Sequence, residues 1–422
     1  MTGTSSIRRG QFLCFSLLWL AYCTTYFLRK PLGVVKADIG SDLGLSKTEL
    51  GWCDTALVMP YALVQVLLPS LTDHYGPRSV LTTCLSLAGL TTYLTYTLLS
   101  HHLLTLCTGL ALTGALLAPC WPAATASLSS WFPDNRLNTM FGLINTATYT
   151  GGLGGTALAA ALLEYSGWRS VSLPPAVAAV ITAALISQLL LSPAEAGISV
   201  PGKSEQSQVT RSRDTLLTIA RVPCVKQLAA AMFSLKFVRY CMAMWLPLYL
   251  LEHLGYSKLQ AGMFSTVFDV GGIIGSPGLG VILDTFYTNS PLTGVLVTMM
   301  LGTLVTALFV MTASHGVLVN CVCLFIAGAA NCGPDSIIAG SVSINIGERS
   351  GEGRGGTVTS FINGVGNIGG MVEGPIIGVL WSVGGWEGVL LSWVGVAALG
   401  TLAVFQAAAL DKHYRDNISL PK

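Results

Sequence analysis

Two pairs of basic residues lie inside long apolar stretches of this sequence: Arg29 with Lys30, and Lys236 with Arg239. An arginine within a membrane-spanning segment costs roughly 2.5 to 3.5 kcal/mol on insertion scales, so it is expected to face protein or a water-filled cavity and to have a function. A guanidinium group stays protonated and presents a planar set of donors that fits phosphate or carboxylate oxygens. The chemistry that these residues indicate is the binding of an anion.

Four acidic residues also lie within apolar stretches: Asp54, Asp269, Asp335 and Glu373. Each is a candidate proton site or arginine partner, because a buried carboxylate without a partner would take up a proton. We expect Asp269, and also Asp54, to pair with a basic residue; a simple hydrogen bond inside the helical bundle is the alternative. Asp335 follows a Gly-Pro pair, where we expect a helix break that directs the carboxylate into a cavity.

The composition is that of a membrane protein with many spans. Of the 422 residues 52% are hydrophobic and 10% are charged, whereas ordinary soluble domains carry about 25% charged residues. The mean hydropathy is +0.65. One span needs about 20 apolar residues to cross roughly 30 Å of hydrocarbon. Twelve such runs occur, at residues 11–35, 50–70, 79–99, 102–124, 139–163, 170–192, 226–251, 259–283, 292–313, 316–341, 356–381 and 387–410. The first run is too long for the apolar region of a cleavable signal peptide.

The basic residues are distributed unevenly between the predicted loops. The loops on the side of the two termini carry fourteen lysines and arginines, and the opposite loops carry five. Cytosolic loops are enriched in basic residues, and an even number of spans places both termini on one side. Both termini are therefore predicted to be cytosolic. The net charge is only +2, and we expect no nucleic-acid partner.

Residue types that would support other functions lack the necessary spacing. The eleven cysteines lie almost wholly within apolar runs and are predicted to be buried thiols rather than a disulfide framework. The six histidines show no metal-ligand spacing, so neither a metal nor another cofactor is expected. Gly364, Gly366 and Gly369 match the GxGxxG pattern of dinucleotide sites, but no strand precedes them. We interpret them, with the glycines at 151–155 and 271–275, as surfaces for close helix packing. No paired acids, nucleophile motif or metal motif predicts an enzyme.

The polar break after the second run contains a distinctive loop. It reads PSLTDHYGPR, from Pro69 to Arg78. Asp73, Gly76 and Arg78 match the signature loop between helices two and three of the major facilitator superfamily, which this loop resembles, although Pro69 stands where glycine is usual. The resemblance implies gating, in which the carboxylate contacts a helix N-terminus or an arginine in one conformation and releases it in another. An ordinary interhelical turn is the alternative.

The sequence contains an internal repeat. A polar stretch from residue 192 to residue 221 separates the twelve runs into six and six. Residues of the first half recur 218 positions later: Arg136, Thr139, Asn145, Gly151, Gly152 and Trp168 match Arg354, Thr357, Asn363, Gly369, Gly370 and Trp386. Nearer the start of each half, Asp73 matches Asp284 after 211 positions, and Arg29 matches Arg239 after 210. The two halves are therefore duplicated in parallel.

The repeat relates the two intramembrane arginines, Arg29 and Arg239. Two six-helix bundles related by an axis along the membrane normal place their first helices across a shared central cavity. Both arginines are then predicted to face one substrate, which disfavours the alternative that Arg29 and Lys30 mark a helix end and extend to the lipid headgroups. Two cations across an empty cavity repel each other, and a dianion such as a phosphate ester relieves that repulsion. From charge alone we expect an exchanger whose loaded form closes more readily than its empty form.

The whole sequence resembles the organophosphate:phosphate antiporters of the major facilitator superfamily, and among them the eukaryotic sugar-phosphate exchangers. The stretches that carry the resemblance are YFLRKPLGVVK, Pro60-Tyr61-Ala62, CWPA around Trp121, SSWFPDNR, FDVGGIIGS, CGPDS and GNIGG. Members of this family bind phosphate with an arginine in helix one and a basic residue in helix seven, which implies that role for Arg29 and Arg239. The resemblance also implies that Tyr61 lines the cavity and that Asp269 takes the place of a helix-eight acid.

The sequence departs from that family at two positions. Gln65 stands where relatives have a lysine one turn after the helix-two tyrosine, and Thr148 stands where bacterial members have a histidine. Both side chains can still form hydrogen bonds with a sugar or a phosphate, but the site carries less positive charge. Lys30 and Lys236 are candidates to compensate, because Lys236 lies one turn before Arg239 on the same helix face.

The predicted fold is an all-α integral membrane protein with the major facilitator fold, in which 12 transmembrane helices form two pseudo-symmetric six-helix bundles. The N-terminal bundle is predicted at residues 1–192 and the C-terminal bundle at 226–410, with a cytosolic linker at 193–225 and a cytosolic tail at 411–422. We expect a monomeric transport unit in a lipid bilayer. The resemblance implies an endoplasmic reticulum membrane.

The predicted function is the exchange of a phosphorylated sugar resembling glucose 6-phosphate for inorganic phosphate by alternating access. The candidate substrate-binding residues are Arg29, Lys30, Tyr61, Gln65, Thr148, Lys236, Arg239, Asp269 and Asp335. The candidate gating residues are Asp73, Gly76, Arg78 and Asp284. Two alternatives remain open. One is a proton-coupled facilitator of another small anion or a drug that uses Asp269 or Asp335, and the other is a transport-inactive sensor of phosphate esters.

Overall fold

The computed structural model describes residues 2–45, 47–201, 216–246, 249–250, 253–256, 258–313, 316–350 and 354–419, and the regular elements in these ranges are helical. The helices of the first half are α1 (Thr2–Arg29), α2 (Pro31–Leu43), α3 (Lys47–Leu67), α4 (Leu71–Tyr75), α5 (Pro77–Thr97), α6 (Leu103–Leu117), α7 (Cys120–Trp131), α8 (Leu137–Ser166) and α9 (Leu173–Leu189). Those of the second half are α10 (Leu216–Arg221), α11 (Val225–Met244), α12 (Lys258–Phe286), α13 (Pro291–Thr312), α14 (Val317–Ile337), α15 (Ser343–Arg349) and α16 (Gly355–Ser419).

The predicted spans coincide with helices in the described parts of the chain. Seven helical segments there are long and apolar enough to cross a membrane, and one of these, Gly355–His413, has 59 residues. That length exceeds twice the roughly 20 residues that one span needs. Gly385 interrupts the segment with φ 58° and ψ −154°, a backbone conformation that glycine tolerates best. The break falls between the last two predicted spans, and the predicted all-helical membrane fold is confirmed.

The first predicted span is divided at its basic pair. α1 ends at Arg29, Lys30 occupies a turn, and α2 begins at Pro31. Proline has no amide proton to donate to the preceding turn of helix, and its ring clashes with that turn. Arg29 and Lys30 therefore lie at the α1–α2 junction, where Lys30 itself keeps helical angles of φ −66° and ψ −31°.

The described chain divides into two compact units. Unit 1 contains Met1–Asp134, Ile144–Arg213 and Gly351–Ser360, and unit 2 contains Asn135–Leu143, Asp214–Ser350 and Phe361–Lys422. Each unit thus includes a short segment from the opposite half of the sequence, at the beginning of α16 or of α8. The predicted boundaries of the bundles, linker and tail stay predictions, and linker residues 202–215 and tail residues 420–422 lie outside the described residues.

Glycines allow close helix contacts in both units. In unit 1, a Cβ atom placed at Gly151 would collide with the backbone of Cys23 in α1. In unit 2, Cβ atoms at Gly271 and Gly275 of α12 would collide with the α14 backbone at Phe325 and Ala329. Side chains at these positions would hold the helices apart. The interpretation of these glycines as packing surfaces is confirmed.

We predict that Gly275→Ala destabilises the protein while Gly278→Ala, one turn further along α12, does not. An added methyl group overpacks the contact with Ala329 at the first position, at a cost of roughly 1 to 3 kcal/mol. At the second position nothing lies within 4 Å of the new atom, and alanine has the higher helix propensity. Thermal unfolding of the purified protein in detergent measures both effects. Equal melting temperatures for the two variants would contradict this account of the α12–α14 contact.

Candidate functional site

Arg29 lies against aromatic rings of unit 1. Its guanidinium carbon is 4.0 Å from the centroid of the Tyr61 ring and 5.4 Å from that of Tyr26. Tyr22, one turn before Tyr26, lies against Trp121, with 4.6 Å between the ring centroids. The negative face of an aromatic ring attracts a cation without neutralising it. The structure therefore brings together two of the predicted substrate-binding residues, Arg29 and Tyr61.

Tyr22 and Tyr26 were not among the residues predicted to act here. Their spacing of four residues places them on one face of α1, and Arg29 follows Tyr26 by three residues. Helical periodicity alone could therefore have predicted that both tyrosines lie on the same face as Arg29. The ring centroids of Tyr22 and Tyr26 are 5.7 Å apart. Together with Tyr61 and Trp121 these rings form the aromatic cluster of unit 1.

Three other predicted residues of unit 1 have different surroundings. Lys30 is exposed at the α1–α2 junction. Gln65 is 1% exposed, and its side-chain amide donates a hydrogen bond to the carbonyl of Ala118 at 2.7 Å. Thr148 is buried and donates to Oδ1 of Asn145 at 3.2 Å. The side chains of Gln65 and Thr148 thus have hydrogen-bond partners within the chain, and their roles in substrate binding stay predictions.

Arg239 and Lys236 share one carboxylate in unit 2. Nη1 of Arg239 lies 3.0 Å from Oδ2 of Asp335, and Nζ of Lys236 lies 3.8 Å from Oδ1. The side chains of Arg239 and Lys236 are 19% and 15% exposed, and that of Asp335 is 7% exposed. Two lysine or arginine charges and one carboxylate leave this basic cluster with a net charge of about +1. Three of the predicted substrate-binding residues are therefore in contact.

The backbone around Asp335 differs from the expected helix break. α14 continues through Pro334, and the irregular part follows as a π-helical stretch at Ile338–Val342. Within it, Gly340 has non-helical angles of φ −124° and ψ −105°. π-helical turns are frequent at functional sites. The sequence identified the presence of an irregularity here but placed it one turn too early.

The three remaining acids of the predicted spans have different surroundings. Asp54 pairs with Lys36, as expected. Asp269 is exposed on α12, and its pairing with an arginine stays a prediction. Glu373 is buried and accepts a hydrogen bond from the thiol of Cys241 at 3.5 Å.

Asp73 contacts the N-terminal turn of α16. Its Oδ2 accepts hydrogen bonds from the amide of Thr357 at 2.7 Å and from the hydroxyl of Thr357 at 2.6 Å. A carboxylate is favoured there because the first amides of a helix lack partners within the helix and carry a partial positive charge. A Cβ atom at Gly356 would collide with this carboxylate, so the glycine permits the approach.

Asp284, the repeat partner of Asp73, makes the corresponding contact in unit 2. Its Oδ2 accepts the amide of Thr139 at 2.7 Å, and its Oδ1 accepts the side-chain amide of Asn138 at 2.8 Å. The other end of the Asn138 amide group accepts the hydroxyl of Ser341 at 2.5 Å. Thr139 and Thr357 are themselves repeat partners. Each acid thus caps a helix that begins in the opposite half of the sequence, and the role of these caps in gating stays a prediction.

Gly76 and Arg78 fix the start of α5 and its contact with α9. Gly76 has a φ of 81° and a ψ of 148°, which favour glycine, and it separates α4 from α5. Nε of Arg78 donates to the carbonyl of Ser187 at 3.0 Å, near the C-terminus of α9. Nη1 of Arg78 lies 3.9 Å from Glu195. The arginine thus binds a helix C-terminus, which its charge favours.

The carboxylate of Glu195 lies just after α9. The amide of Ser192 donates a hydrogen bond to it at 2.8 Å, and the Ser192 hydroxyl donates another at 3.0 Å. The pKa of Glu195 is lowered, chiefly by the bond from the Ser192 amide and in smaller part by the Ser192 hydroxyl and by Arg78. The same carboxylate therefore joins Arg78 to the turn that follows α9.

The sequence matches the model of one protein family and is similar to the sequences of known transporters. The model of the Major Facilitator Superfamily matches residues 18–372. The "Glucose-6-phosphate exchanger SLC37A2" of Bos taurus is 26% identical to this chain in an alignment that covers 92% of this chain and 91% of that protein. The "Putative glycerol-3-phosphate transporter 5" of Arabidopsis thaliana is 26% identical, with 90% of this chain and 87% of that protein covered.

Solved structures of other transporters share the fold. The crystal structure of the E. coli Fucose:proton symporter FucP has a TM-score of 0.69 and 16% identity, covering 96% of this chain and 98% of that chain. The human organic anion transporter MFSD10 has a TM-score of 0.69 and 15% identity, covering 94% and 99%. At these identities the likeness concerns the fold alone.

We predict that the two aspartate caps protect different helix termini. Asp73→Ala should accelerate amide hydrogen exchange about tenfold in the segment that contains Thr357, because losing a cap costs roughly 0.5 to 2 kcal/mol. Asp284→Ala should do the same for the segment that contains Thr139. Hydrogen exchange followed by mass spectrometry measures both segments in each variant.

The exposed Glu164→Gln serves as the control, and it should change neither segment. The account of the caps is wrong if each aspartate substitution affects both termini equally or affects neither.

Proposed function

This chain belongs to the Major Facilitator Superfamily, and from that membership we propose that it exchanges a phosphorylated sugar for inorganic phosphate across a membrane by alternating access. The observation that carries the proposal is the pair of arginines at matching positions of the repeat. Arg29 lies at the end of α1 in unit 1, against the rings of Tyr61 and Tyr26, and Arg239 lies within α11 in unit 2, beside Lys236 and Asp335.

The chemistry of Arg29 supports this proposal. The rings of Tyr61 and Tyr26 hold its guanidinium in place through cation–π attraction, which fixes the position of the charge while conserving it. A phosphate group offers oxygens that two guanidinium N–H groups can bind in parallel. Lys30, exposed at the adjacent helix junction, adds a second positive charge nearby. We infer that this end of α1 binds the phosphate group of the substrate.

The basic cluster of Arg239 and Lys236 supports the same role in unit 2. The side chains that carry its net positive charge are largely buried. Electrostatic interactions in such surroundings are stronger than in bulk water. We infer that Arg239 binds the same phosphate group as Arg29 when substrate is present. Binding of a dianion by both arginines would offset two of these positive charges in one step, and this gives the loaded carrier its advantage over the empty one.

The helix caps provide a means to alternate between conformations. A hydrogen bond to a charged group contributes about 1.5 to 3 kcal/mol, and the Asp73 and Asp284 caps each include more than one such bond. We propose that these bonds stabilise one conformation and are broken in the other. A few bonds of this size are strong enough to populate one state and weak enough for substrate binding to offset.

The names of the two relatives support a proposal for the class of substrate. Glucose 6-phosphate and glycerol 3-phosphate share a phosphate monoester and differ in the attached polyol. We propose a sugar phosphate resembling glucose 6-phosphate, transported by a monomer whose termini face the cytosol. The similarity to the glucose-6-phosphate exchanger also favours an endoplasmic reticulum membrane.

The proposal predicts counterflow through proteoliposomes. Vesicles preloaded with phosphate should take up labelled phosphate, and glucose 6-phosphate added outside should compete. Arg29→Gln and Arg239→Gln should each reduce the initial rate at least about thirtyfold, because losing one partner of a buried charged contact costs roughly 2 kcal/mol or more.

Arg169→Gln is the matched control, because Arg169 also lies over an aromatic ring, 4.3 Å from that of Trp168, but pairs with Asp42 in a more exposed position. It should leave the rate unchanged. Uptake that follows a pH gradient and ignores both intramembrane arginines would instead support a proton-coupled facilitator, and phosphate binding without flux would identify a sensor.

A further inference from the structure

The carboxylate of Asp335 divides its two oxygens between two cations. Oδ2 accepts a hydrogen bond from Arg239 at 3.0 Å, and Oδ1 lies 3.8 Å from the ammonium group of Lys236. Within the described part of the chain, Oδ1 has no hydrogen-bond partner although it is buried. One oxygen is thus well satisfied, whereas the other has only a longer electrostatic contact.

Asp335 is a counter-ion of this basic cluster. All three side chains lie mostly buried, and unpaired charges in such surroundings are costly. Any anion that binds Arg239 and Lys236 has to replace the interactions that Asp335 already makes. The acid therefore competes with a ligand for the same two cations.

The competition depends on the charge and the number of oxygens that a ligand offers. A monoanionic carboxylate ligand would replace one carboxylate by another, so the electrostatic gain is close to zero. It would also compete against a group that the chain holds at a high effective concentration. A phosphate monoester is a dianion with three terminal oxygens, and it can contact both cations at once. Such a ligand gains charge interactions when it displaces Asp335.

We propose that Asp335 is a specificity-determining residue, a tethered competitor that makes the Arg239–Lys236 pair select dianionic phosphate groups over monoanionic carboxylates. This inference rests on the proposed function, since it takes a phosphate group as the ligand of Arg239. The π-helical stretch at Ile338–Val342 begins three residues after Asp335 and provides an irregular backbone next to the carboxylate that has to move.

Asp335 is an acid whose contacts with both cations are observed. α11 contributes both cations, and α13 contains no charged residue. In the described side chains of α12 the acids are Asp269, which is exposed, and Asp284, which is bonded to Asn138 and Thr139. The contact with Arg239 and Lys236 therefore assigns the competition to Asp335.

The test is a binding measurement on the purified full-length protein in detergent. Labelled inorganic phosphate is the probe, and acetate and sulfate are the competitors, since acetate is a monoanion and sulfate is a dianion. In the wild type, sulfate should displace phosphate and acetate at tens of millimolar should not. Asp335→Ala should bind phosphate about tenfold more tightly, as expected when a competing state populated at roughly 90% is removed. Acetate should now compete, because it can occupy the place of the missing carboxylate.

Asp54→Asn is the matched control, because it removes a different helix carboxylate that pairs with a lysine, Lys36, in unit 1. It should change neither the phosphate affinity nor the order of the competing anions. A role of Asp335 in stability alone predicts weaker phosphate binding in Asp335→Ala and no effect of acetate, and that result would overturn the inference.

A second pair of variants keeps the inference testable if Arg239 and Lys236 repel each other too strongly for Asp335→Ala to fold. In the Lys236→Gln background one cation is absent, so adding Asp335→Asn leaves no unbalanced pair. The double variant should bind phosphate about tenfold more tightly than Lys236→Gln, and equal or weaker binding overturns the inference.

The same experiment separates the two proposals. If wild-type binding of phosphate is absent or is insensitive to Arg239→Gln, the proposed function fails and the inference fails with it. If binding depends on Arg239 but removing Asp335 neither tightens it nor admits acetate, only the inference fails.

Discussion

The cost of keeping a guanidinium group inside an apolar helical unit is the constraint on which the rest of this structure depends. That cost can be lowered with aromatic faces, with a carboxylate, or with a bound anion, and the two units use different solutions. Arg29 lies over Tyr61 and Tyr26, which attract its charge but do not cancel it. Arg239 shares Asp335 with Lys236. The two units therefore surround their repeat-related arginines differently, with aromatic rings against Arg29 and a carboxylate against Arg239, at the residues that we propose bind the substrate.

The repeat also determines how the ends of the helices are held. Asp73 caps the beginning of α16 and Asp284 caps the beginning of α8, so each half of the sequence supplies a carboxylate for a helix of the other half. The segments Asn135–Leu143 and Gly351–Ser360, which contain these two helix starts, each belong to the unit of the opposite half. The hydrogen bonds of each cap involve only the first turn of the capped helix. They are suited to an equilibrium between conformations because they add specific, modest stabilisation to one state.

Much of this arrangement could be predicted from the sequence because it follows from local patterns. Runs of apolar residues gave the spans, and the constant spacing of 218 between Thr139 and Thr357 related the two capped helices. Other features depend on how helices pack against each other, which periodicity does not encode. The contact of Arg239 with Asp335, which joins α11 to α14, is one such feature, and the pairing of Asp269 with an arginine stays a prediction. Gln65 has the polarity of a substrate ligand, yet its buried amide bonds to Ala118 because α3 packs closely on α6. The turn at Lys30 follows from Pro31, which is a local signal. The position of Arg29 over the Tyr61 ring depends on the tertiary fold, which that signal does not give.

The proposal that Arg29 and Arg239 bind one phosphate group is tested most directly by a double-mutant cycle of phosphate affinity. The dissociation constant for labelled phosphate is measured for the wild type, Arg29→Gln, Arg239→Gln and the double variant. The account predicts strong coupling: either single substitution removes most of the affinity, and the double variant binds scarcely more weakly than the singles, with a coupling energy above about 1 kcal/mol. Losses that add to within roughly 0.5 kcal/mol would mean that the arginines act at independent sites, and this result would contradict the account.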